Sequence, residues 1–237
     1  NGSKSGAVYV YTRSNGLWSE AQKITAFDGE SGEQFGVDVA LHGNFMAVGA
    51  HKDDDVAVSG GSVYLYQRVG STWSFFQKVT AFDGAEADFF GQFLALHDDT
   101  LVVGAYADDD NGASSGSVYA YVYNGTDWEL EQKITASDSN FADYFGYGVD
   151  VENDTLVVGA HNDGVSGSAY VFSRETGTWS LEQKIQPPDG ESDDEFGFSV
   201  SLSGEKVLIG SRKVDDVAVD AGAAYVYQRI NSIWTMD

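Results

Sequence analysis

The stretch FGYGVDVENDTLVVGAHNDG, residues 145–164, decides the fold because similar stretches recur along the chain. FGVDVALHGNFMAVGAHKDD begins at residue 35, and FGQFLALHDDTLVVGAYADD begins at residue 90. Each copy has a Phe-Gly pair, an apolar run that ends in Gly-Ala, and then aspartates. A fourth Phe-Gly pair begins at residue 196. Self-similarity at a fixed spacing is typical of a repeat protein.

The five tryptophans give the length of the repeat. They lie 55, 55, 51 and 55 residues apart, a mean of 54, so 237 residues correspond to about 4.4 units. A Gly-x-(Val/Ala)-Tyr pattern occurs five times in the same register, and Gln-Lys follows each of the first four tryptophans. The tryptophans are Trp18, Trp73, Trp128, Trp179 and Trp234.

Each repeat contains four strand signals. FGYGVDV and TWSLEQKI alternate in polarity, TLVVGA is apolar throughout, and GSAYVFSR is rich in β-branched and aromatic residues. Tight-turn residues such as Asn153-Asp154 and Asn124-Gly125 separate neighbouring strands. Four strands in about 50 residues predict an all-β protein, a β-propeller of four-stranded antiparallel blades.

The blade pattern also predicts boundaries. In one blade we expect strands at residues 36–41, 45–50, 62–68 and 73–80. The units are a partial blade at 1–34, blades at 35–89, 90–144 and 145–195, and an incomplete blade at 196–237. Because a closed propeller needs a whole number of blades, we expect a segment of a larger propeller. A five-bladed ring closed by the termini is disfavoured, since both ends supply a third strand.

The repeated residues have predicted structural roles. Gly and Ala in the inner strands allow neighbouring backbones to approach closely, Phe of each Phe-Gly pair fills the gap between blades, and Trp covers the outer edge. The lysines that follow the first four tryptophans are expected to pair with acids of their own or adjacent blades. These lysines are Lys23, Lys78, Lys133 and Lys184.

Composition narrows the function. The net charge is −24, with 13 Lys and Arg against 37 Asp and Glu, which argues against nucleic acid as a partner. No apolar run reaches the length of about 20 residues that a membrane helix needs, so no membrane insertion by this segment is predicted. There is no cysteine. The four histidines occupy two repeat positions and are interpreted as structural rather than as a metal or catalytic cluster. No His-x-x-x-His spacing for zinc and no Gly-x-Ser-x-Gly nucleophile motif occurs.

The acidic residues concentrate on one face. Loops after the second and fourth strands of an antiparallel meander emerge on one face, the acidic loop face; the tight turns emerge on the other, the turn face. Thirteen acids fall between blades, within residues 28–33, 83–88, 138–143 and 189–195. Ten more lie between the second and third strands: Asp53, Asp54, Asp55, Asp108, Asp109, Asp110, Asp163, Asp215, Asp216 and Asp220.

Calcium is the cation that these loops predict. Ca²⁺ takes six to eight oxygen ligands from flexible loops, and dense carboxylates repel one another unless a cation bridges them. The DDDNG stretch, with Asp108, Asp109 and Asp110, is the best candidate, and Asp53 and Asp55 occupy equivalent positions. The alternative is that acidic, Gly-containing loops only keep the protein soluble.

The repeat resembles a known family. Phe-Gly at residues 35, 90, 145 and 196, with Val-Gly-Ala at 48, 103 and 158, is similar to the FG-GAP repeat, the blade unit of the propeller at the N-terminus of integrin α subunits. The resemblance implies a seven-bladed propeller and an extracellular or cell-surface protein. Integrin-type blades often carry a calcium loop between strands one and two, where this chain has only short turns.

Asn-x-Ser/Thr sequons predict the compartment. They occur at Asn1, Asn124 and Asn153, and glycosylation requires exposure in a secretory compartment. Parity places Asn124 and Asn153 on the turn face. The predicted function is therefore a non-catalytic extracellular or cell-surface propeller that binds a protein or glycan partner through the acidic loop face, in adhesion or an extracellular assembly. The alternative is a propeller enzyme, or an accessory domain of a secreted polysaccharide-acting enzyme.

Overall fold

The computed structural model describes residues 3–215 and 217–237, which form β-strands and no α-helix. No helix in these residues is therefore long and apolar enough to cross a membrane. Asn1 and Asp216 lie outside the described residues. The strands are β1 (Val8–Ser14), β2 (Leu17–Ile24), β3 (Val39–His42), β4 (Phe45–Ala50), β5 (Ser62–Val69), β6 (Thr72–Val79), β7 (Phe93–His97), β8 (Thr100–Ala105), β9 (Ser117–Tyr123), β10 (Trp128–Ile134), β11 (Gly148–Glu152), β12 (Thr155–Ala160), β13 (Ser168–Glu175), β14 (Thr178–Ile185), β15 (Phe196–Ser203), β16 (Lys206–Ser211), β17 (Ala223–Ile230) and β18 (Ile233–Met236).

The strands form five separate antiparallel sheets in chain order. A two-stranded sheet, β1-β2, precedes four four-stranded meanders, β3 to β6, β7 to β10, β11 to β14 and β15 to β18. The first strands of successive sheets are adjacent and so line the propeller axis. The predicted all-β propeller of four-stranded blades is confirmed. The last sheet has all four strands, although β18 is only four residues long.

In the blade that begins at residue 35, the first strand starts later than the sequence predicts. The expected strand was 36–41, whereas β3 begins at Val39. Gly36 has a positive φ of 88°, and the N–H groups of Gly36 and Val37 both reach the carbonyl of Gly49. This left-handed residue is the glycine of the Phe-Gly pair, and it interrupts the regular ladder before Val39.

The hydrophobic cores lie between successive sheets. Val63 and Leu65 of β5 belong to one cluster with Phe90 and Tyr119 of the next blade. The Phe of every Phe-Gly pair is buried, as predicted, and contacts the repeated Tyr of the third strand edge-on; Phe90 lies 5.2 Å from Tyr119 between ring centroids. Each blade therefore buries its apolar residues only by packing against its neighbours.

The repeated glycines lie where two backbones touch. A Cβ on Gly61 would overlap the carbonyl oxygen of Phe90, and one on Gly104 would overlap that of Gly146. The same contacts with the next blade recur at Gly6, Gly49, Gly116, Gly159 and Gly167. The prediction that Gly permits close approach between blades is confirmed.

A glutamine connects the outer strands of neighbouring blades. The Gln22 amide donates to the Trp73 carbonyl at 2.7 Å and accepts the Trp73 N–H at 2.9 Å. Gln77, Gln132 and Gln183 form the same pair of bonds with the next tryptophan. The side chains of these tryptophans are buried, so Trp and Gln together close the outer gap between sheets. The four acceptor tryptophans are Trp73, Trp128, Trp179 and Trp234.

Candidate functional site

On the acidic loop face, one tyrosine and one lysine form hydrogen bonds and ion pairs with carboxylates from two loops. The Tyr64 hydroxyl, on β5, lies 2.7 Å from Asp28 Oδ1 and 2.8 Å from Asp53 Oδ2. Asp28 comes from the preceding interblade loop and Asp53 from the loop that follows β4. Lys78 Nζ lies 3.1 Å from Asp28, 2.8 Å from Asp53 and 2.5 Å from Asp55. We call this group the Tyr-Asp-Lys network.

The network recurs in the next two blades. Tyr119 and Lys133 contact Asp83 and Asp108, and Lys133 also lies 2.6 Å from Asp110. In the following blade, Tyr170 and Lys184 contact two aspartates, because Val165 stands where the third carboxylate would be. Those two aspartates are Asp138 and Asp163. The predicted pairing of Lys78, Lys133 and Lys184 with acids is confirmed.

The fourth copy of the network is changed. The Tyr225 hydroxyl donates the equivalent interblade hydrogen bond to Asp189 Oδ1 at 3.0 Å. Val214, however, occupies the position of the buried aspartate and is itself buried. The apolar Val214 therefore removes one buried carboxylate from this copy of the network.

Mutual contact fixes the charge states in the network. Burial alone would lower the pKa of Lys78, but hydrogen bonds to Asp53, Asp55 and Asp28 outweigh it and raise the pKa. Burial and the neighbouring carboxylates raise the pKa of Tyr64 strongly. Burial opposes ionisation of Asp53, yet Lys78 and Tyr64 hold its pKa below the usual value. At neutral pH Lys78 is therefore charged, Asp53 is ionised and Tyr64 is neutral.

Other acids of this face hold the loop backbone. Asp109 Oδ1 accepts the Ser114 N–H at 2.6 Å, and Asp54 and Asp215 make the equivalent bond in their own loops. Between blades, Asp88 Oδ2 accepts the Ala85 N–H at 2.7 Å. Equivalent bonds occur at Glu33, Asp143 and Asp194. Much of the negative charge on this face thus stabilises the loops that carry it.

The residues predicted as calcium ligands divide into two groups. Asp108 and Asp110 converge on Lys133, and Asp53 and Asp55 converge on Lys78. The side chain of Asp109 points into its loop, to Ser114. A lysine ammonium is therefore the cation that the protein itself supplies to these carboxylates. Calcium binding stays a prediction, and it would compete with the lysine.

Seven half-buried rings form a cluster beside the axis on the acidic loop face, which we call the axial aromatic cluster, and the buried His51 packs against its edge at Phe89. Tyr147 is its centre, with centroid distances of 4.6 Å to Phe93, 4.3 Å to His161 and 4.9 Å to Phe198. All seven side chains are half-buried and present part of their surface to solvent. The members are Phe89, Phe93, Tyr106, Tyr144, Tyr147, His161 and Phe198.

Arg212 and a small cavity border the axial aromatic cluster. The Arg212 guanidinium lies over the Phe198 ring at 4.0 Å and pairs with Glu195. A cavity of about 150 Å³ lies against Phe93, Tyr147 and Phe198, and the Asp38 carboxylate lines it. Burial raises the pKa of Asp38 above its usual value, although its oxygens accept two backbone N–H groups.

Sequence reasoning missed the axial aromatic cluster. His161 and its equivalent His51 were interpreted only as structural, and burial indeed lowers the pKa of each to about 4. The available signal was the aromatic character of residues flanking the middle Phe-Gly pairs, such as Phe89 and Tyr144. The equivalent residue in the blade at residue 35 is Gln34, so the cluster does not follow the repeat and periodicity could not reveal it.

The predicted glycosylation sites lie on exposed turns. Asn124 follows β9 and Asn153 follows β11, so both are on the turn face, opposite the acidic loops. The Asn124 Oδ1 accepts the N–H groups of Thr126 and Asp127 and so holds its own turn. Glycosylation of both residues stays a prediction.

Comparison with known proteins identifies the repeat. No curated protein sequence matches the chain. Among solved structures, Sqt1 of Saccharomyces cerevisiae is similar with a TM-score of 0.59 and 15% identity, over 98% of this chain and 56% of that chain. At this identity the likeness shows the fold alone, and the chain spans little more than half of that structure.

The family match uses units that bridge two blades. The model of the FG-GAP repeat matches residues 18–66, 73–122, 128–172 and 179–227. Each matched unit begins at the Trp of a fourth strand and continues through the third strand of the next sheet. The Gln-Trp bonds and the glycine contacts at these junctions are the physical basis of that unit. Because the matches cover most of its residues, this chain belongs to the FG-GAP repeat family.

Proposed function

We propose that this propeller binds a protein or glycan partner through the acidic loop face, without catalysing a reaction, at a cell surface or in the extracellular space. The axial aromatic cluster is the observation that carries this proposal. Half-exposed aromatic side chains provide large, rigid contact surfaces and are enriched where proteins bind their partners. Because these side chains lie beside the axis, residues from several blades contribute to a single contact surface.

The surrounding charge supports the choice of partner. The net charge of −24 and the carboxylates of this face disfavour polyanions and favour basic or neutral ligands. Arg212 with Lys213 forms a local exception at one end of the axial aromatic cluster, where both pair with Glu195. A partner that carries basic groups and apolar or sugar faces fits this arrangement.

The fixed roles of many carboxylates support a binding function over catalysis. Asp53 and Asp108 neutralise lysines, and Asp88 and Asp109 hold loop backbone. Carboxylates committed in this way are poor proton donors or acceptors for a substrate. The resemblance to integrin α propellers and the exposed sequons support an extracellular site of action.

The test is a binding screen with a matched pair of aromatic substitutions. Labelled protein is applied to a glycan array and to an array of extracellular protein domains, and each hit is remeasured by calorimetry. Tyr147→Ala removes the centre of the axial aromatic cluster and is expected to weaken binding at least about tenfold. Phe75→Ala, which truncates a partly exposed ring on the outer strand β6, is the control and should bind normally.

Two outcomes would contradict the proposal. Equal affinity of wild type and Tyr147→Ala would remove the axial aromatic cluster from the binding site. Cleavage products from a bound glycan would instead indicate the enzyme alternative. Glycopeptide analysis of native protein tests the compartment, since unmodified Asn124 and Asn153 would remove that support.

A further inference from the structure

Two histidines of the turn face meet beside the axis. His42 ends β3 and His97 ends β7, so they occupy the same repeat position in successive blades. Because first strands are neighbours at the axis, the two rings come together, with centroids 4.5 Å apart and planes at 65°. The sequence showed the shared repeat position but not this contact.

An aspartate completes the group. Asp98 lies in the turn after His97, in a left-handed conformation with φ of 50°. Its Oδ1 is 3.0 Å from His42 Nε2, and its Oδ2 is 3.9 Å from His97 Nδ1. One ligand atom from each of the three residues lies within 4.8 Å of the other two. Side chains from two blades therefore converge on one point.

We propose that His42, His97 and Asp98 bind a divalent transition-metal ion, with Zn²⁺ as the reference ion. Zinc accepts imidazole nitrogen and carboxylate oxygen at about 2.0–2.2 Å, which places tetrahedral ligand atoms roughly 3.3 Å apart. The separations of 3.0 and 3.9 Å between the Asp98 oxygens and the two imidazole nitrogens bracket this value. Three protein ligands leave one coordination position for water or an external ligand.

The donor atoms select the class of metal. Ca²⁺ and Mg²⁺ prefer sets composed of oxygen atoms, whereas imidazole nitrogen suits Zn²⁺, Ni²⁺ and Cu²⁺. This site therefore differs in chemistry and in position from the carboxylates of the acidic loop face. It does not depend on the proposed partner-binding function.

The site is open to solvent and has a built-in reporter. The side chains of His42, His97 and Asp98 are 36%, 23% and 68% exposed, so an ion can enter without unfolding. The His97 Nδ1 accepts the Asn153 N–H at 3.2 Å. Because metal coordination at Nδ1 would compete for the same lone pair, the Asn153 amide should change its environment when metal binds.

The next blade junction lacks the ligand set. Glu152 replaces the histidine there, and its Oε2 accepts the Gly204 N–H at 2.6 Å. The repeat position thus serves to join neighbouring turns in every described junction, and the pair of histidines adds metal-binding capacity at one of them. If the turns bound metal non-specifically, the junction with Glu152 would bind it as well as the junction with the two histidines.

The experiment measures Zn²⁺ binding by calorimetry to the whole chain, with millimolar Mg²⁺ and Ca²⁺ present to saturate oxygen-only sites. We expect one zinc ion per chain. His42→Gln, His97→Gln and Asp98→Asn should each weaken binding at least about tenfold, because each removes a direct ligand. Asp99→Asn changes the adjacent exposed acid of the same turn and should leave the affinity unchanged.

Amide NMR of the wild type gives an independent readout if a variant fails to fold. Zinc should shift the Asn153 amide and the side-chain signals of His42 and His97, and EDTA should reverse the shifts. Unchanged zinc affinity in both folded histidine variants would overturn the proposal. A zinc titration that moves none of these signals would also overturn it.

Discussion

Neighbouring blades are joined by different side-chain contacts on the two faces of this propeller. On the acidic loop face, carboxylates from two loops surround a lysine, as at Lys133, and further carboxylates hold long loop backbones. On the turn face, short turns need little support, and single side chains such as His42 and Glu152 reach to the next turn. Charge on the first face is mostly structural, so it is a poor guide to ligand sites.

The largest effect is expected when the central cation of a network is removed. Lys133→Met leaves the carboxylates of Asp83, Asp108 and Asp110 without their ammonium group, and Asp108 is buried. Removing one partner of a buried ion pair costs about 3–5 kcal/mol, and we expect a loss of that order in the free energy of unfolding. Urea unfolding at pH 7 measures it.

The control for this change is Lys206→Met. Lys206 forms an exposed pair with Asp237, so its loss should cost about 0–1 kcal/mol. Millimolar Ca²⁺ should stabilise Lys133→Met more than the wild type, because the ion can then occupy the place of the ammonium group. Equal loss in the two lysine variants would show that both faces rely on weak surface pairs.

A smaller effect is expected from acid. The pKa of His161 is lowered to about 4 by burial, so between pH 6.5 and 4 the unfolded chain binds a proton that the folded chain does not. Stability therefore falls as the pH drops through this window. His161→Tyr introduces the residue found at the equivalent Tyr106 and removes this dependence.

The difference between wild type and His161→Tyr isolates this histidine from acids that titrate in the same range. Between pH 7 and pH 4 the wild type should lose on the order of 2 kcal/mol more than the variant. Thermal melts across the pH range measure the difference. Parallel pH profiles of the two proteins would contradict burial of a neutral imidazole on the acidic loop face.

The smallest effect comes from a matched pair of carboxylates, one on each face. Asp109 and Glu152 each accept one backbone N–H at 2.6 Å. Asp109 closes the loop from 109 to 114, so Asp109→Ala should cost about 1 kcal/mol of unfolding free energy. Glu152→Ala, between two short turns, should cost a few tenths. A reversed order in chemical denaturation would break the contrast between the faces.

Periodicity made much of the fold predictable. The spacing of Trp73 and Trp128, and the pattern around Phe90, followed from packing that recurs at each blade junction. Strand starts were less predictable, because the left-handed Gly36 delays the start of β3 to Val39, and apolar patterning does not record backbone conformation. The role of Lys133 was predicted in outline, but not its three carboxylate partners.

The sequence by itself determined the all-β repeat, the four strands of each blade, the residues at the blade contacts and the division of charge between two faces. Only the tertiary structure decided which residues of different blades meet. Tyr147 with Phe198, and His42 with His97, are more than 50 residues apart and join because first strands converge on the axis. Periodicity records contacts that every junction repeats, whereas the axial aromatic cluster and the contact between His42 and His97 depend on residues that differ between blades.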